Sequence, residues 1–164
     1  MTRVAQFMAV SPERFRDDWR EAFPGAPTPE QPPLPRRATA GSAGYDFHAP
    51  AAFRLEPGDS IRIPTGVRAR IAEGWVLMLF PRSGLGFKYR LQLNNTVGIV
   101  DADYFGARNE GHIFIKLTNA GDRALSVEAG EAFAQGIFLP FGITEDDDAA
   151  GERTGGFGST SAKQ

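Results

Sequence analysis

Residues 53–80, FRLEPGDSIRIPTGVRARIAEGWVLMLF, decide the fold because short apolar runs alternate with turn-forming residues along this stretch. The dipeptides Pro57-Gly58 and Glu73-Gly74 separate the runs, and both are typical of turns. The alternation continues to residue 141 without helical periodicity, which predicts an all-β barrel or jelly roll. The predicted strands are Phe53–Leu55, Ser60–Ile63, Gly66–Ile71, Trp75–Phe80, Leu91–Leu93, Gly98–Val100, His112–Thr118, Arg123–Val127 and Ala132–Phe141.

The composition limits the classes of function that are available. The 164 residues correspond to about one domain, and 18 basic against 20 acidic side chains give a net charge of −2. This charge provides no basic excess for a polyanion, so we expect no nucleic-acid partner. The absence of cysteine excludes disulfides, thiolate metal sites and a cysteine nucleophile, while His48 and His112 have no partner at metal-ligand spacing and are interpreted as structural. No export signal or membrane-spanning apolar run is visible, so we expect a cytoplasmic protein with no membrane partner.

The N-terminal part of the chain has its own pattern. Residues 3–10 predict a short strand, and Ser11 followed by Pro12 predicts the start of a helix. Pro24-Gly25 ends this helix and opens a proline-rich spacer. The apolar positions of the helix, spaced by four residues, are Phe15, Trp19 and Phe23, and the charged positions on its other faces are Arg14, Asp17, Asp18 and Glu21.

These patterns divide the chain into three parts. Residues 1–34 hold the N-terminal strand, helix and spacer, and residues 35–144 hold the β core. Residues 145–164 have no periodicity and almost no apolar content, which predicts a flexible C-terminal arm. Phe157 stands alone among glycines there, which is unusual for an arm that binds nothing.

Two segments carry residues suited to chemistry. Pro81-Arg82-Ser83-Gly84 follows an apolar strand and offers a bidentate cation, a hydroxyl donor and exposed N–H groups, which suit a phosphate site or form an ordinary polar turn. Asp101 follows the apolar run that ends at Val100, and its carboxylate is either a general base for water or a turn residue.

Five segments, taken together and in order, resemble the motifs of the homotrimeric dUTP diphosphatases (dUTPases), in particular a bacterial subgroup with an insertion after the third motif. The second and fifth segments are the most specific. The five are Ala43-Gly44-Tyr45-Asp46-Phe47, Pro81-Arg82-Ser83-Gly84-Leu85-Gly86-Phe87-Lys88, Gly98-Ile99-Val100-Asp101-Ala102-Asp103-Tyr104, Gly130-Glu131-Ala132-Phe133-Ala134-Gln135 and Arg153-Thr154-Gly155-Gly156-Phe157-Gly158-Ser159-Thr160.

This resemblance implies a distorted jelly-roll subunit of the β-clip type, assembled as a homotrimer with three shared active sites. It implies Mg²⁺-dependent cleavage of dUTP to dUMP and pyrophosphate, which limits uracil incorporation into DNA and supplies dUMP for dTTP synthesis. The fifth motif would close over the bound nucleotide and exclude water.

Carried over by position, the resemblance also implies roles for individual residues. Asp101 would be the general base that activates the water attacking the α-phosphate, and Asp46 would act on Mg²⁺ only through water. The implied substrate-binding residues are Arg82, Ser83, Gly84 and Gln135 on the phosphates, Asn95, Gly98, Ile99 and Val100 on the uracil edge, Tyr104 beneath the deoxyribose, Arg153 on the γ-phosphate, Phe157 stacked on the uracil, and Gly158 and Ser159 in the same arm.

The sequence alone leaves two other functions open. A dCTP deaminase is similar in fold and second motif, but its catalytic glutamate would fall at Lys116, which cannot perform that proton transfer. A non-catalytic regulatory protein with the dUTPase fold would be expected to lose Asp101 or Phe157, and both are present.

Three departures from the family pattern accompany the resemblance. Ala132 and Phe133 stand where an arginine and an aliphatic residue begin the fourth motif, which puts a structural ion pair in doubt. After the third motif, Phe105 replaces an arginine and the extra residues 107–111 precede His112. The N-terminal strand and helix, residues 1–34, lie outside the common core of the family.

Overall fold

A computed structural model describes residues 2–151 of the chain. Short β-strands dominate these residues, which also form two α-helices and a 3-10 helix at Ala102–Gly106. Neither α-helix in this range is long and apolar enough to cross a membrane. The strands are β1 (Ala5–Ala9), β2 (Arg36–Arg37), β3 (Tyr45–His48), β4 (Phe53–Leu55), β5 (Ser60–Pro64), β6 (Val67–Ile71), β7 (Trp75–Pro81), β8 (Leu91–Leu93), β9 (Gly98–Val100), β10 (Phe114–Asn119), β11 (Leu125–Val127) and β12 (Ala132–Pro140), and the helices are α1 (Pro12–Ala22) and α2 (Ser83–Tyr89).

The strands pair into antiparallel sheets. The largest has the order β2-β3-β12-β7-β9, and the long strand β12 pairs with β3 on one side and β7 on the other. A three-stranded sheet has the order β5-β10-β8, and the pairs β1-β6 and β4-β11 complete the set. Apolar side chains from all these sheets form one core, which confirms the prediction of an all-β fold. The largest fully buried members include Phe47, Leu77, Ile115, Leu117, Leu125 and Phe133.

The turn-forming residues of the sequence predicted most of the strands. All nine strands predicted in the core are present, with ends that differ by at most two residues, and residues 3–10 contain β1. The structure adds β2, β3 and helix α2, which were not among the predicted elements. Gly84 and Gly86 weaken the local helix propensity of α2. The helix ends at Arg90, a non-glycine residue in the left-handed conformation with φ of 52°.

Helix α1 forms as its sequence predicts. The Ser11 side chain accepts a hydrogen bond from the Arg14 N–H at 3.1 Å, and Pro12 occupies the first turn. Phe15 and Trp19 are buried in a small cluster of their own, and β1 pairs with β6 alongside the core. Burying apolar side chains of this size stabilises the docked helix by roughly 1.5–3 kcal/mol each.

Candidate active site

Three of the segments singled out in the sequence meet at one end of the five-stranded sheet. Asp46 on β3 lies opposite Gln135 on β12, and Gln135 lies opposite Phe80 on β7. Arg82, just beyond β7, places its Nη1 atom 3.5 Å from Oδ2 of Asp46. Gln135 Nε2 donates a hydrogen bond to the Pro81 carbonyl at 3.2 Å. The structure therefore brings together Asp46, Arg82 and Gln135.

Gly44 is required by the position of the Gln135 amide. A Cβ atom at Gly44 would lie 2.6 Å from Oε1 of Gln135, closer than real Cβ contacts allow. The flexible Gln135 side chain would have to move away, so glycine at this position keeps the amide beside the Asp46–Arg82 pair.

A cavity of about 320 Å³ opens beside this cluster, between α2 and the start of β12. Arg82, Gly84 and Lys88 line it, with Glu131 on the opposite element. The Arg82 side chain is 44% exposed, so its ion pair with Asp46 is screened by solvent and worth at most about 1 kcal/mol. A bound anion can therefore compete for the guanidinium.

Lys88 and Glu131 were missed as site residues in the sequence, although both lie inside the motif segments. Ser83 and Gly84 occupy the first turn of α2, next to Arg82. Lys88 lies in the last turn of the same helix and lines the cavity together with Arg82. No helical spacing identifies Lys88, because it lies six residues after Arg82 and side chains three or four residues apart share a helix face.

His48 adds no fixed positive charge to the cluster. Burial lowers the pKa of its imidazole below the ordinary value of 6.5, Asp46 opposes this effect, and the cations Arg36 and Arg82 reinforce it. The imidazole is therefore mainly neutral at pH 7.

A second cavity, of about 260 Å³, lies next to β9 and is lined mainly by apolar atoms. Asn95 and Gly98 line it together with Leu79 and Leu93. Gly98 pairs with Leu79, and a Cβ atom at Gly98 would lie 2.9 Å from the Leu79 Cβ. Glycine thus permits the close approach of β9 to β7 that forms this wall. The cavity has the donors and apolar walls typical of a site for a flat ring.

The two residues that follow Gly98 on β9 face opposite directions. The Ile99 side chain is 53% exposed, whereas Val100 is buried in the core. Neither residue lines the cavity beside Asn95 and Gly98, so the recognition of uracil by the main chain of Ile99 and Val100 stays a prediction.

Asp101 and Tyr104 flank the start of the 3-10 helix. Asp101 is half-buried, and its carbonyl accepts the Tyr104 N–H at 3.2 Å. Tyr104 is buried, and its hydroxyl donates to the His112 carbonyl at 2.7 Å. Asn109 Nδ2 donates to the same hydroxyl at 2.7 Å. Asn109 lies in the extra segment after the third motif and was not predicted as a site residue from the sequence.

The residues predicted for catalysis and for phosphate binding lie far apart within one chain. Val100 pairs with Leu77 on the antiparallel strand β7, and Asp101 follows Val100. Arg82 lies five positions beyond Leu77 in the direction away from Asp101. At about 3.3 Å per residue, this register separates the backbones of Asp101 and Arg82 by roughly 17–20 Å.

The predicted residues of the fifth motif, Arg153, Phe157, Gly158 and Ser159, lie outside the described residues. Their roles stay predictions.

Comparisons with known proteins identify the family of the chain. The sequence profile of the dUTPase family matches residues 30–161. A relative from Lactococcus lactis, named deoxyuridine 5'-triphosphate nucleotidohydrolase, is 42% identical over 132 residues, covering 79% of this chain and 88% of the relative. The chain belongs to the dUTPase family.

Solved structures share the fold. The dUTPase from Streptococcus mutans aligns with a TM-score of 0.64 at 35% identity, covering 85% of this chain and 98% of the other. A mutant dUTPase from phage phi11 of S. aureus, described with a coordinated structural Mg(II) ion, aligns with a TM-score of 0.65, covering 91% of this chain and 98% of its own. At 22% identity, the phage enzyme supports the fold alone.

Proposed function

We propose that this protein hydrolyses dUTP to dUMP and pyrophosphate. The observation that carries the proposal is the chemistry of the two cavities in a chain of the dUTPase family. One cavity, beside Asn95 and Gly98, suits a flat ring, and the other, beside Arg82 and Lys88, suits phosphates. Hydrolysis would limit uracil incorporation into DNA and supply dUMP for dTTP synthesis, and we place the enzyme in the cytoplasm with the nucleotide pool that it serves.

Asp101 is the proposed general base. Its carboxylate takes a proton from a water molecule whose oxygen attacks the α-phosphorus. The bond from the α-phosphorus to the bridging oxygen breaks, and pyrophosphate leaves with that electron pair. Arg82, Ser83, Gly84 and Gln135 bind the phosphates and stabilise the charge that develops on their oxygens.

Recognition of the nucleoside is assigned to the third motif. Asn95 and the main chain of Gly98, Ile99 and Val100 bind the uracil edge. Tight packing of β9 on β7 at Gly98 makes this wall rigid, which supports exclusion of a 5-methyl group. Tyr104 packs beneath the deoxyribose and leaves no room for a 2′-hydroxyl.

Mg²⁺ is the proposed cofactor, and the donor set fits a substrate-held ion. Residues 2–151 contain no cluster of three acidic or histidine side chains that could cage a metal. Mg²⁺ commonly keeps several waters and binds substrate phosphates with few protein carboxylates. Asp46 would accept a hydrogen bond from one of those waters, beside Arg82. When bound, the ion neutralises charge on the phosphates.

We also propose a homotrimer with shared active sites. A general base must come within hydrogen-bond reach of its water, directly or through one further water. Asp101 and Arg82 of one chain, separated by roughly 17–20 Å along the sheet, cannot both act on one triphosphate. This separation supports a site in which Asp101 from one copy meets Asp46, Arg82 and Gln135 from another.

Pyrophosphate release from dUTP in the presence of Mg²⁺ tests the function. We expect more pyrophosphate to be released from dUTP than from dTTP, dCTP or UTP. A chelator that removes Mg²⁺ should stop the release. No release at micromolar dUTP would refute the proposal, and loss of ammonia from dCTP would indicate a deaminase instead.

Subunit mixing tests the shared site. Asp101→Asn and Arg82→Gln variants should each be inactive alone, while mixed trimers regain roughly a quarter of the sites by random assortment. Light scattering should give about three times the chain mass of 17.8 kDa. Mixed trimers that stay inactive would place both residues in one chain's site.

A further inference from the structure

The N-terminal helix reaches the extra segment after the third motif through a buried pair of side chains. Oδ2 of Asp18 on α1 lies 2.6 Å from Nδ1 of His112, which directly follows the extra residues 107–111. Asp18 and His112 are only 6% and 0% exposed. A short hydrogen bond to a carboxylate in such a buried setting is strong and directional.

The second ring nitrogen of His112 fixes its protonation state. Nε2 accepts the Gly66 N–H at 2.8 Å, so this nitrogen carries a lone pair and no proton. The proton of the neutral ring therefore lies on Nδ1 and is donated to Asp18. Burial, the largest influence, lowers the pKa of His112, in agreement with this tautomer.

A second link lies about two turns earlier, at the N-cap of the helix. Glu110 accepts hydrogen bonds from the Ser11 N–H at 2.8 Å and the Ser11 hydroxyl at 2.7 Å. These two bonds are the leading causes that lower the pKa of Glu110. The N-terminus of α1 and the extra segment are thus joined at two points.

The position of His112 in turn fixes the position of the Tyr104 hydroxyl. The main-chain carbonyl of His112 accepts the Tyr104 hydroxyl, and Asn109 holds the same hydroxyl from the other side. The side chain of His112 is fixed by Asp18 and Gly66, so the carbonyl that receives Tyr104 is fixed with it.

We propose that Asp18 and His112 are positioning residues for recognition of the deoxyribose, with α1 acting through them on Tyr104. This inference rests on the proposed function only in the role given to Tyr104. Displacing the His112 carbonyl frees the Tyr104 hydroxyl and lets the ring move. The floor of the sugar site then tolerates a 2′-hydroxyl better.

The test compares Asp18→Ala with Asp17→Ala, an exposed acid on the same helix. Asp18→Ala should lower the ratio of kcat/KM for dUTP over UTP by up to about tenfold, the effect of one lost hydrogen bond. Asp18→Asn keeps an oxygen acceptor for Nδ1 and should recover part of the ratio. Asp17→Ala should leave the ratio unchanged. Because Asp18 also pairs with Arg14 at 3.1 Å, Arg14→Gln should likewise retain it.

A destabilised but correctly shaped protein would lose activity on both nucleotides equally, so an unchanged ratio in Asp18→Ala would overturn the proposal. Hydrogen exchange gives a readout that does not depend on activity. Asp18→Ala should expose the Gly66 amide and the amides of residues 104–112 to faster exchange, whereas Asp17→Ala should not. Unchanged exchange there refutes the link even if the protein does not hydrolyse dUTP, and a wild type inactive on dUTP refutes only the proposed function.

Discussion

Replacing Gly98 with alanine tests how tightly the ring cavity is built. The new Cβ would lie 2.9 Å from Cβ, 3.1 Å from Cδ1 and 3.3 Å from Cγ of Leu79. The first of these neighbours is held by the backbone of β7 and cannot swing aside, so β9 must move away from β7. Overpacking of this kind costs typically about 1–3 kcal/mol.

For a domain of this size, each kcal/mol lowers Tm by about 2–4 °C, so Gly98→Ala should melt roughly 2–12 °C below the wild type. Because the shifted main chain also lines the cavity, KM for dUTP should rise more than kcat falls. Thermal unfolding and steady-state kinetics measure the two effects. Gly41→Ala is the control, because a Cβ there meets nothing within 4 Å. A Gly98→Ala protein with unchanged Tm and KM would refute the close-packing argument.

The remaining predictions concern the chemistry and the buried pair. Asp101→Asn should retain dUTP binding, measured by calorimetry, while kcat falls by orders of magnitude; unchanged turnover would remove Asp101 from its role. Gly44→Ala should displace the Gln135 amide and raise KM for dUTP with little change in Tm, and an unaltered KM would contradict that positioning. The pKa of His112 is lowered by burial, so the unfolded chain binds the proton more readily. The free energy of unfolding should therefore fall as the pH drops below the ordinary histidine pKa of 6.5, and urea titrations of His112→Gln should show a shallower fall.

The sequence predicted the strands better than the contacts between distant segments. Pro57-Gly58 and Glu73-Gly74 are local signals, and the strands they separate are present with nearly the predicted ends. Helix α2 was not predicted, because its glycines disfavour a helical conformation. The surrounding tertiary structure imposes that conformation instead. The sequence pattern placed Asp18 on a charged face of α1, yet it is buried against His112. This burial could not be predicted locally, because the partner lies 94 residues away.

Some features of the candidate site were likewise predicted from the sequence, and others depend on contacts between distant segments. The family resemblance implied roles for Asp46, Arg82 and Gln135 at one triphosphate, and the pairing of β12 with β3 and β7 brings the three residues together. The distance between Asp101 and Arg82 depends on the register of β9 on β7, and no tight hairpin turn sets this register because α2 and β8 lie between the two strands. The part played by Asn109 and His112 around Tyr104 is likewise visible only once the chain is folded.

The two links of α1 also constrain the order in which the chain can fold. They join Ser11 to Glu110 and Asp18 to His112, across separations of 99 and 94 residues. A helix of 11 residues is marginal by itself in water. During synthesis, α1 leaves the ribosome long before its partners exist, so it gains a lasting structure only when most of the β core has already emerged. Helix α1 precedes the core in this sequence, yet it is thus one of the last elements to be completed.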